Sequence, residues 1–262
     1  MSRFCTLFSS SKGNSTYLSG GGTHLLVDAG SSCRRLLSAL SQQEIAVEDI
    51  SAILITHEHS DHISALSVLL KHHPIPVISA PETLDWLVRY NHLPADTCLI
   101  PIEESICIGD IEVTPFDTPH DAVHSLGYRF AMPDGRKIAV ATDLGYVTTA
   151  VRRELTGCDL VLLEANYDPG MLSCSPYPYS VKRRVKSAIG HLSNDDSAEE
   201  ILRLVQTGAT RFVLGHLSEQ NNLPQLAYQT VCATLQSLRL TAGTDFLLSV
   251  APAHTPHEMA VF

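Results

Sequence analysis

The chain has 262 residues, 44% hydrophobic and 18% charged, with a formal net charge of −10. That length supports one large domain, read here as 1–262, with a sizeable core. The negative balance excludes a generally basic, nucleic-acid-coating surface, though not a local basic groove. No apolar run approaches the length of a membrane span, and Met1-Ser2-Arg3-Phe4-Cys5 carries too short an apolar stretch for a secretory signal. The seven cysteines are scattered and lack a Cys-x-x-Cys pair. They read mostly as small core residues in a reducing, cytoplasmic setting rather than as a disulfide framework.

Taken in order, Phe4 to Phe8 reads as a first strand, followed by the small polar loop Ser9 to Ser15 and a return to strand at Thr16-Tyr17-Leu18. The loop is either an ordinary hairpin turn or an anion-binding loop, with Lys12 and Asn14 as candidate substrate contacts. His24 to Asp28 is a further strand, His24 being an exposed strand residue. Asp28 at its end either forms a turn or orients a metal ligand. Ser32 to Leu40 reads as a helix with Arg34 and Arg35 on its polar face.

Ala52-Ile53-Leu54-Ile55 reads as a buried strand, and the spacing from Ile63 to Leu70 suits a helix packed on a sheet. Between them lies Thr56-His57-Glu58-His59-Ser60-Asp61-His62, on a strand-to-helix loop where function collects. In an extended loop alternate side chains point the same way, so His57 and His59 can meet one cation. Asp61 and His62 then serve a neighbouring position, which makes a two-metal arrangement. The plainer alternative is that Asp61 caps the helix and the histidines are surface polar residues. Three His and one Asp within six residues favour the metal.

Pro76-Val77-Ile78 is a short strand and Pro81 to Tyr90 a helix with Pro at its start. Ile106 to Phe116 holds two strands around Gly109-Asp110. His120 and His124 lie in the polar loop before the strand at Tyr128, and His120 is preferred as a ligand because it follows a strand directly. Arg136 to Ala141 is a strand leading to Asp143, whose two oxygens can bridge two cations or merely form a turn. Leu160 to Leu163 ends in Glu164, an orienting or proton-handling candidate. The basic run Lys182, Arg183, Arg184, Lys186 lies inside a helix that leads to His191, with Ser193 and Asn194 beside it. These six residues are candidate contacts for a phosphate backbone, or the run is a solvated face. Ser197 to Thr207 and Leu223 to Leu238 are helices, Arg211 to Leu214 is a strand ending at His216, and Phe246 to Val250 is a last strand. His72, His73 and His92 read as surface residues, and His254 and His257 as uninvolved. Repeated βα units with polar groups at strand ends place one site along a sheet edge.

His-x-His-x-Asp-His, followed in order by His120, Asp143 and His216, resembles the metallo-β-lactamase superfamily. The resemblance implies an α/β fold, a four-layer αββα sandwich, with two divalent metal ions (Zn, Mn or Fe). It implies His57, His59 and His120 on one ion, Asp61, His62 and His216 on the other, and Asp143 bridging. Glu164 with Gly190-His191-Leu192-Ser193 resembles the Glu/His pair of ribonuclease Z and related phosphodiesterases, which helps protonate the leaving oxygen. The stretches Ser9 to Ser15, Leu26 to Gly30, Ile53 to Ile63, His120-Asp121-Ala122, Gly190 to Asn194 and His216-Leu217-Ser218 with Asn221-Asn222 resemble the YycJ/WalJ-like family. The chain departs from that family at Tyr167, where members often have His, and at Val123-His124-Ser125, which lacks the usual Pro. The expected function is a 5′-to-3′ exonuclease on double-stranded DNA, with Asp61, Glu164 and His191 in the chemistry. The alternatives are a small cyclic phosphodiesterase, a ribonuclease Z-like RNA nuclease, or a non-catalytic, metal-stabilised regulatory protein.

Overall fold

The apolar runs at 25–27, 52–54, 138–141, 160–163 and 212–214 have no polar side, so each strand must be covered on both faces. The computed structural model describes residues 1–262 and meets that demand with two sheets of seven strands packed face to face. The first sheet is built from β1 (Arg3–Ser10), β2 (Gly13–Gly20), β3 (Thr23–Val27), β4 (Ala52–Leu54), β5 (Val77–Ser79) and β6 (Leu99–Pro101). The second runs from β7 (Ile106–Ile108) and β8 (Ile111–Asp117) through β9 (Leu126–Ala131) and β10 (Lys137–Ala141). It is completed by β11 (Leu160–Glu164), β12 (Arg211–Gly215) and β13 (Leu247–Val250). The chain end returns as β14 (Ala260–Val261) and pairs with β1 in the first sheet.

Alternation sorts the strand side chains into layers. Leu25, Val27, Leu54, Val140, Leu160, Leu162 and Val213 point between the sheets. Their neighbours Leu26 and Ile53 face outward, under helices α1 (Cys33–Gln42), α2 (Ser60–Ile63), α3 (Leu66–His72) and α4 (Pro81–Arg89). Val161, Leu163, Phe212 and Leu214 face the opposite way, under α5 (Thr149–Leu155) and two later helices. A small apolar cluster of Tyr167, Leu172 and Val185 seats α6 (Pro169–Cys174) and α7 (Tyr179–Val185), and α8 (Asn194–Gln206) and α9 (Pro224–Gln236) complete the outer layer. The layering is the expected αββα sandwich. Strands β3 to β6 run parallel, as do β10 to β13, so their C-terminal ends share one edge. No helix is long and apolar enough to cross a membrane.

Some local expectations change. The helix expected over 63–70 is two helices, because Ala29 reaches in: its N–H donates to His62 O (2.8 Å) and its carbonyl accepts from Ala65 N (2.9 Å), interrupting the helical ladder. Asp61 therefore lies inside α2, whose N-cap position is His59. Of the cysteines only Cys5 and Cys158 are buried, while Cys98, Cys107 and Cys174 are exposed. His24 is half-buried, its Nδ1 2.9 Å from the Tyr17 hydroxyl. Strand β6, helices α5 and α6, and β14 carry too short a periodic signal to be seen in the sequence.

The same crossing explains Gly30. A Cβ there would collide with the Asp61 carbonyl oxygen and with the Asn14 backbone. Gly30→Ala is expected to cost about 3 kcal/mol and to displace Asp61, read as a lower denaturation midpoint together with reduced metal content.

Candidate metal centre and active site

Strand termini deliver the site. Asp28 follows β3, His57 lies just beyond β4, His120 beyond β8, Asp143 beyond β10, Glu164 closes β11, and His216 follows β12. Asp28, Asp143 and His216 have φ of 63°, 58° and 54°. Left-handed backbone is uncommon outside glycine, and Asp and His tolerate it better than most. It costs of order 1 kcal/mol or more per residue, and such strain gathers at functional sites. The two sheets are tied together here. Ser10 and Leu217 form a bridge, the His216 N–H donates to Ser9 Oγ (2.7 Å), and the Leu126 N–H donates to Thr56 O (3.0 Å).

The donor atoms converge on common points. His59 Nδ1 lies 3.0 Å from His57 Nε2 and 3.3 Å from His120 Nε2. Nitrogens bound to one tetrahedral ion at about 2.0–2.1 Å would be about 3.3 Å apart. Asp61 Oδ2 lies 3.5 Å from His62 Nε2 and 3.4 Å from His216 Nε2. Asp143 faces both groups: Oδ1 is 3.6 Å from His120 Nε2, and Oδ2 is 3.3 Å from His62 Nε2. Asp143 Oδ2 is buried and makes no hydrogen bond, which suits a cation ligand. The sets His57/His59/His120, Asp61/His62/His216 and His57/His62/Asp143 each draw together tightly enough to hold an ion. The arrangement suits a divalent metal ion.

Four of the rings, His62, His120, His191 and His216, are held from behind. His62 Nδ1 lies 2.8 Å from Asp28 Oδ2, and Asp28 also accepts from the Thr56 N–H at 2.8 Å. His120 Nδ1 lies 3.0 Å from Gly190 O. Glu164 Oε1 meets His191 Nδ1 at 2.8 Å and His216 Nδ1 at 2.7 Å, while Oε2 accepts from Leu144 N at 3.1 Å and Leu192 N at 3.0 Å. Burial, then the neighbouring His62, holds His57 well below the usual imidazole range. Burial also lowers His120. On His62 burial opposes charge, yet Asp28, Asp143 and Asp61 together raise it well above that range. His216 is pushed up to about 10 against its burial, chiefly by Asp143. Burial likewise opposes charge on Asp143 and Glu164, but His216 and His62 keep Asp143 well below the carboxylate range, and His191 brings Glu164 down to about 2. The carboxylates thus create a strongly negative well for positive charge.

Above the cluster opens a cleft of about 280 Å³ with no apolar side chain in its wall; Ser11, Asp61, Arg184 and His191 line it beside the histidines. The other candidates are placed as follows. Asn14 is buried; its Nδ2 donates to Ser10 O (2.9 Å) and lies 3.3 Å from Asp61 Oδ2, so it braces the ligand loop from the β1–β2 turn. That loop is a hairpin turn, and Lys12 at its tip pairs with Glu219 at 2.6 Å. Ser193 and Asn194 do not reach the cleft. Ser193 is the N-cap of α8, closed by a reciprocal capping box with Asp196, and Asn194 is buried against Asn222. The basic run divides by helical period. Lys182 and Lys186, one turn apart, donate to Ser173 of α6, Arg183 is exposed, and Arg184 alone enters the cleft wall. His124 stands apart, between Glu82 and Asp117 at 2.9 Å each. Tyr167 is buried beneath α6 and α7. Ser11 and Asp121 were not singled out as site residues in the sequence, although Ser11 lies in the Ser9 to Ser15 loop and Asp121 in the His120-Asp121-Ala122 stretch.

Two sheets covered on both faces, with this His-x-His-x-Asp-His loop at their shared edge, define a metallo-β-lactamase-type hydrolase. Residues 23–217 match the β-lactamase superfamily domain. The chain is 36% identical over 248 residues to the exodeoxyribonuclease WalJ of Streptococcus pneumoniae, covering 93% of this chain and 92% of WalJ. It is 35% identical over 245 residues to the exodeoxyribonuclease YycJ of Bacillus anthracis, with the same coverages of 93% and 92%. The fold also matches the zinc-bound crystal structure of PqqB from Methylobacterium extorquens, with a TM-score of 0.72, 18% identity and coverage of 98% of this chain and 99% of PqqB. The chain belongs to the metallo-β-lactamase superfamily and, within it, to the family of WalJ and YycJ.

Asp28 tests the support shell. Asp28→Asn removes the charge behind His62 Nδ1, and metal affinity is expected to fall about 10–100-fold, measured by competition with a chelating dye.

Proposed function

We propose that the protein is a two-metal phosphodiesterase that degrades double-stranded DNA from the 5′ end. The observation that carries this reading is the Glu164–His191 pair at 2.8 Å, whose His191 lines a wholly polar cleft beside the His/Asp cluster while Glu164 is buried behind it. A lactam or thioester site would be lined mainly by apolar groups, whereas this wall suits a charged backbone. The exonuclease names of WalJ and YycJ support the same choice. His57, His59 and His120 would hold one divalent ion and Asp61, His62 and His216 the other, with one Asp143 oxygen toward each. When bound, the cations supply acidification of a water and neutralisation of phosphoryl charge.

The chain's own groups do the rest. With Nδ1 engaged by Glu164, His191 presents its other nitrogen to the cleft. Held in this orientation by the Glu164 carboxylate, that nitrogen is the group that passes a proton to the leaving oxygen. Asp61, at the cleft floor with 21% of its side chain exposed, accepts a proton from the attacking water. Arg184 takes a phosphate oxygen.

A second reading has its own observation: Arg184 is the one Lys or Arg in the cleft wall, and a small cyclic phosphodiester needs no more. Degradation of end-labelled linear duplex DNA, set beside hydrolysis of a cyclic dinucleotide, decides between them. Stepwise loss from the 5′ end supports the nuclease; turnover of the cyclic compound alone replaces it. His57→Ala and Asp143→Ala are expected to lose both metal and hydrolysis, and full activity in either would sink the scheme. His191→Ala is expected to slow turnover about 10²–10⁴-fold with metal content near normal; metal-free protein from that variant would make His191 a ligand instead.

A further inference from the structure

Arg184 is not free in the cleft wall. Its Nη2 donates to Asp121 Oδ1 at 2.8 Å and its Nε to Asp121 Oδ2, a side-on bidentate pair. A guanidinium has five N–H donors. This pairing uses one on Nε and one on Nη2, and leaves three, two of them side by side on the Nη1–Nη2 edge. Asp121 is itself fixed: it follows His120, its N–H donates to Ile189 O at 3.0 Å, and its Oδ1 lies 3.5 Å from His120 Nε2. The arginine is thereby registered to a ligand loop rather than to its own helix.

Two features argue that this pair serves substrate rather than stability. The Arg184 side chain is 51% exposed, and exposed ion pairs add little to folding. Asp121 also sets a negative charge beside the path of a polyanion, where net electrostatics alone would disfavour it.

We infer that Asp121 is a positioning residue that grips one edge of the Arg184 guanidinium and turns the other edge onto a non-bridging phosphate oxygen of the substrate. The inference rests on the nuclease reading and adds to it the group that sets where the phosphate sits. A pre-oriented fork loses less freedom on binding than a free one.

The sign of one effect tests it. Steady-state kinetics on end-labelled linear duplex DNA would compare wild type, Asp121→Asn, Arg184→Ala and the double variant, with bound metal counted in each. Positioning predicts that Asp121→Asn raises KM about ten-fold, leaves kcat and metal content near wild type, and raises KM no further in the Arg184→Ala background. Asp121→Glu, which keeps the charge and both oxygens, should recover part of the loss. A fall in KM in Asp121→Asn, as removal of a negative charge by itself would give, overturns the inference. So does an additive double variant, or loss of metal, which would make Asp121 a ligand. If Asp121→Asn does not fold, Asp121→Ser carries the same comparison. Wild-type protein that is metal-loaded but inert on duplex DNA would end the nuclease reading alone; the same variants on bis(4-nitrophenyl) phosphate then decide the positioning role. Wild type inert on both substrates overturns it.

Discussion

Asp143 is a carboxylate with 1% exposure whose Oδ2 makes no hydrogen bond. Taking such a group out of water costs several kcal/mol unless opposite charge meets it. Here the opposing charge comes from rings on other elements, with His216 Nδ1 and His62 Nε2 each 3.3 Å away. Those rings come from opposite sheets, one after β12 and one in α2 beyond β4. The requirement to surround this one carboxylate with positive charge therefore fixes how the two sheet edges meet. A divalent cation would satisfy the same requirement more fully, because its charge is larger and the free oxygen would be available to ligate it.

Such concentrated charge needs a rigid surround, and hydrogen bonds supply it in pairs. Glu164 receives two ring nitrogens and two backbone N–H groups, so each oxygen is doubly occupied. Removing any one partner leaves part of a buried carboxylate unpaired, which costs more than the bond itself. His191 and His216 share Oε1, so two rings of the cluster are set by one atom. Their substitutions act on a shared partner and will not add independently. The left-handed turns at Asp28, Asp143 and His216 are tolerable in this setting because the surrounding bonds over-determine them.

How much of this was legible depended on whether the cause was local. His57, His59, Asp61 and His62 stand within six residues after an apolar run, so both the motif and its strand-to-helix loop could be read directly. The preference for His120 over His124 needed only the rule that ligands follow strands, and the structure places His120 in the cluster and His124 outside it. The break between α2 and α3 was invisible because its cause, the Ala29 backbone, lies over thirty residues upstream. Ser193 and Asn194 misled for a different reason. Polar residues beside a functional His resemble substrate contacts, yet a helix start spends the same atoms on its own N–H groups. The division of the basic helix, by contrast, was written in the sequence, since positions 182 and 186 share a face that 184 does not.

The net charge of −10 then takes on a specific meaning. A protein that holds a polyanion usually does so with Lys and Arg, but here Arg184 is the only one of these in the cleft wall, and Asp121 shares it. On the proposed reading, the remaining attraction comes from bound divalent metal, whose positive charge would offset a floor whose own carboxylates are negative. Metal loading and substrate binding are on this account coupled through charge. The loops that carry His120, His191 and Asp61 carry the cleft wall as well, so one set of loops shapes both the His/Asp cluster and the cleft above it.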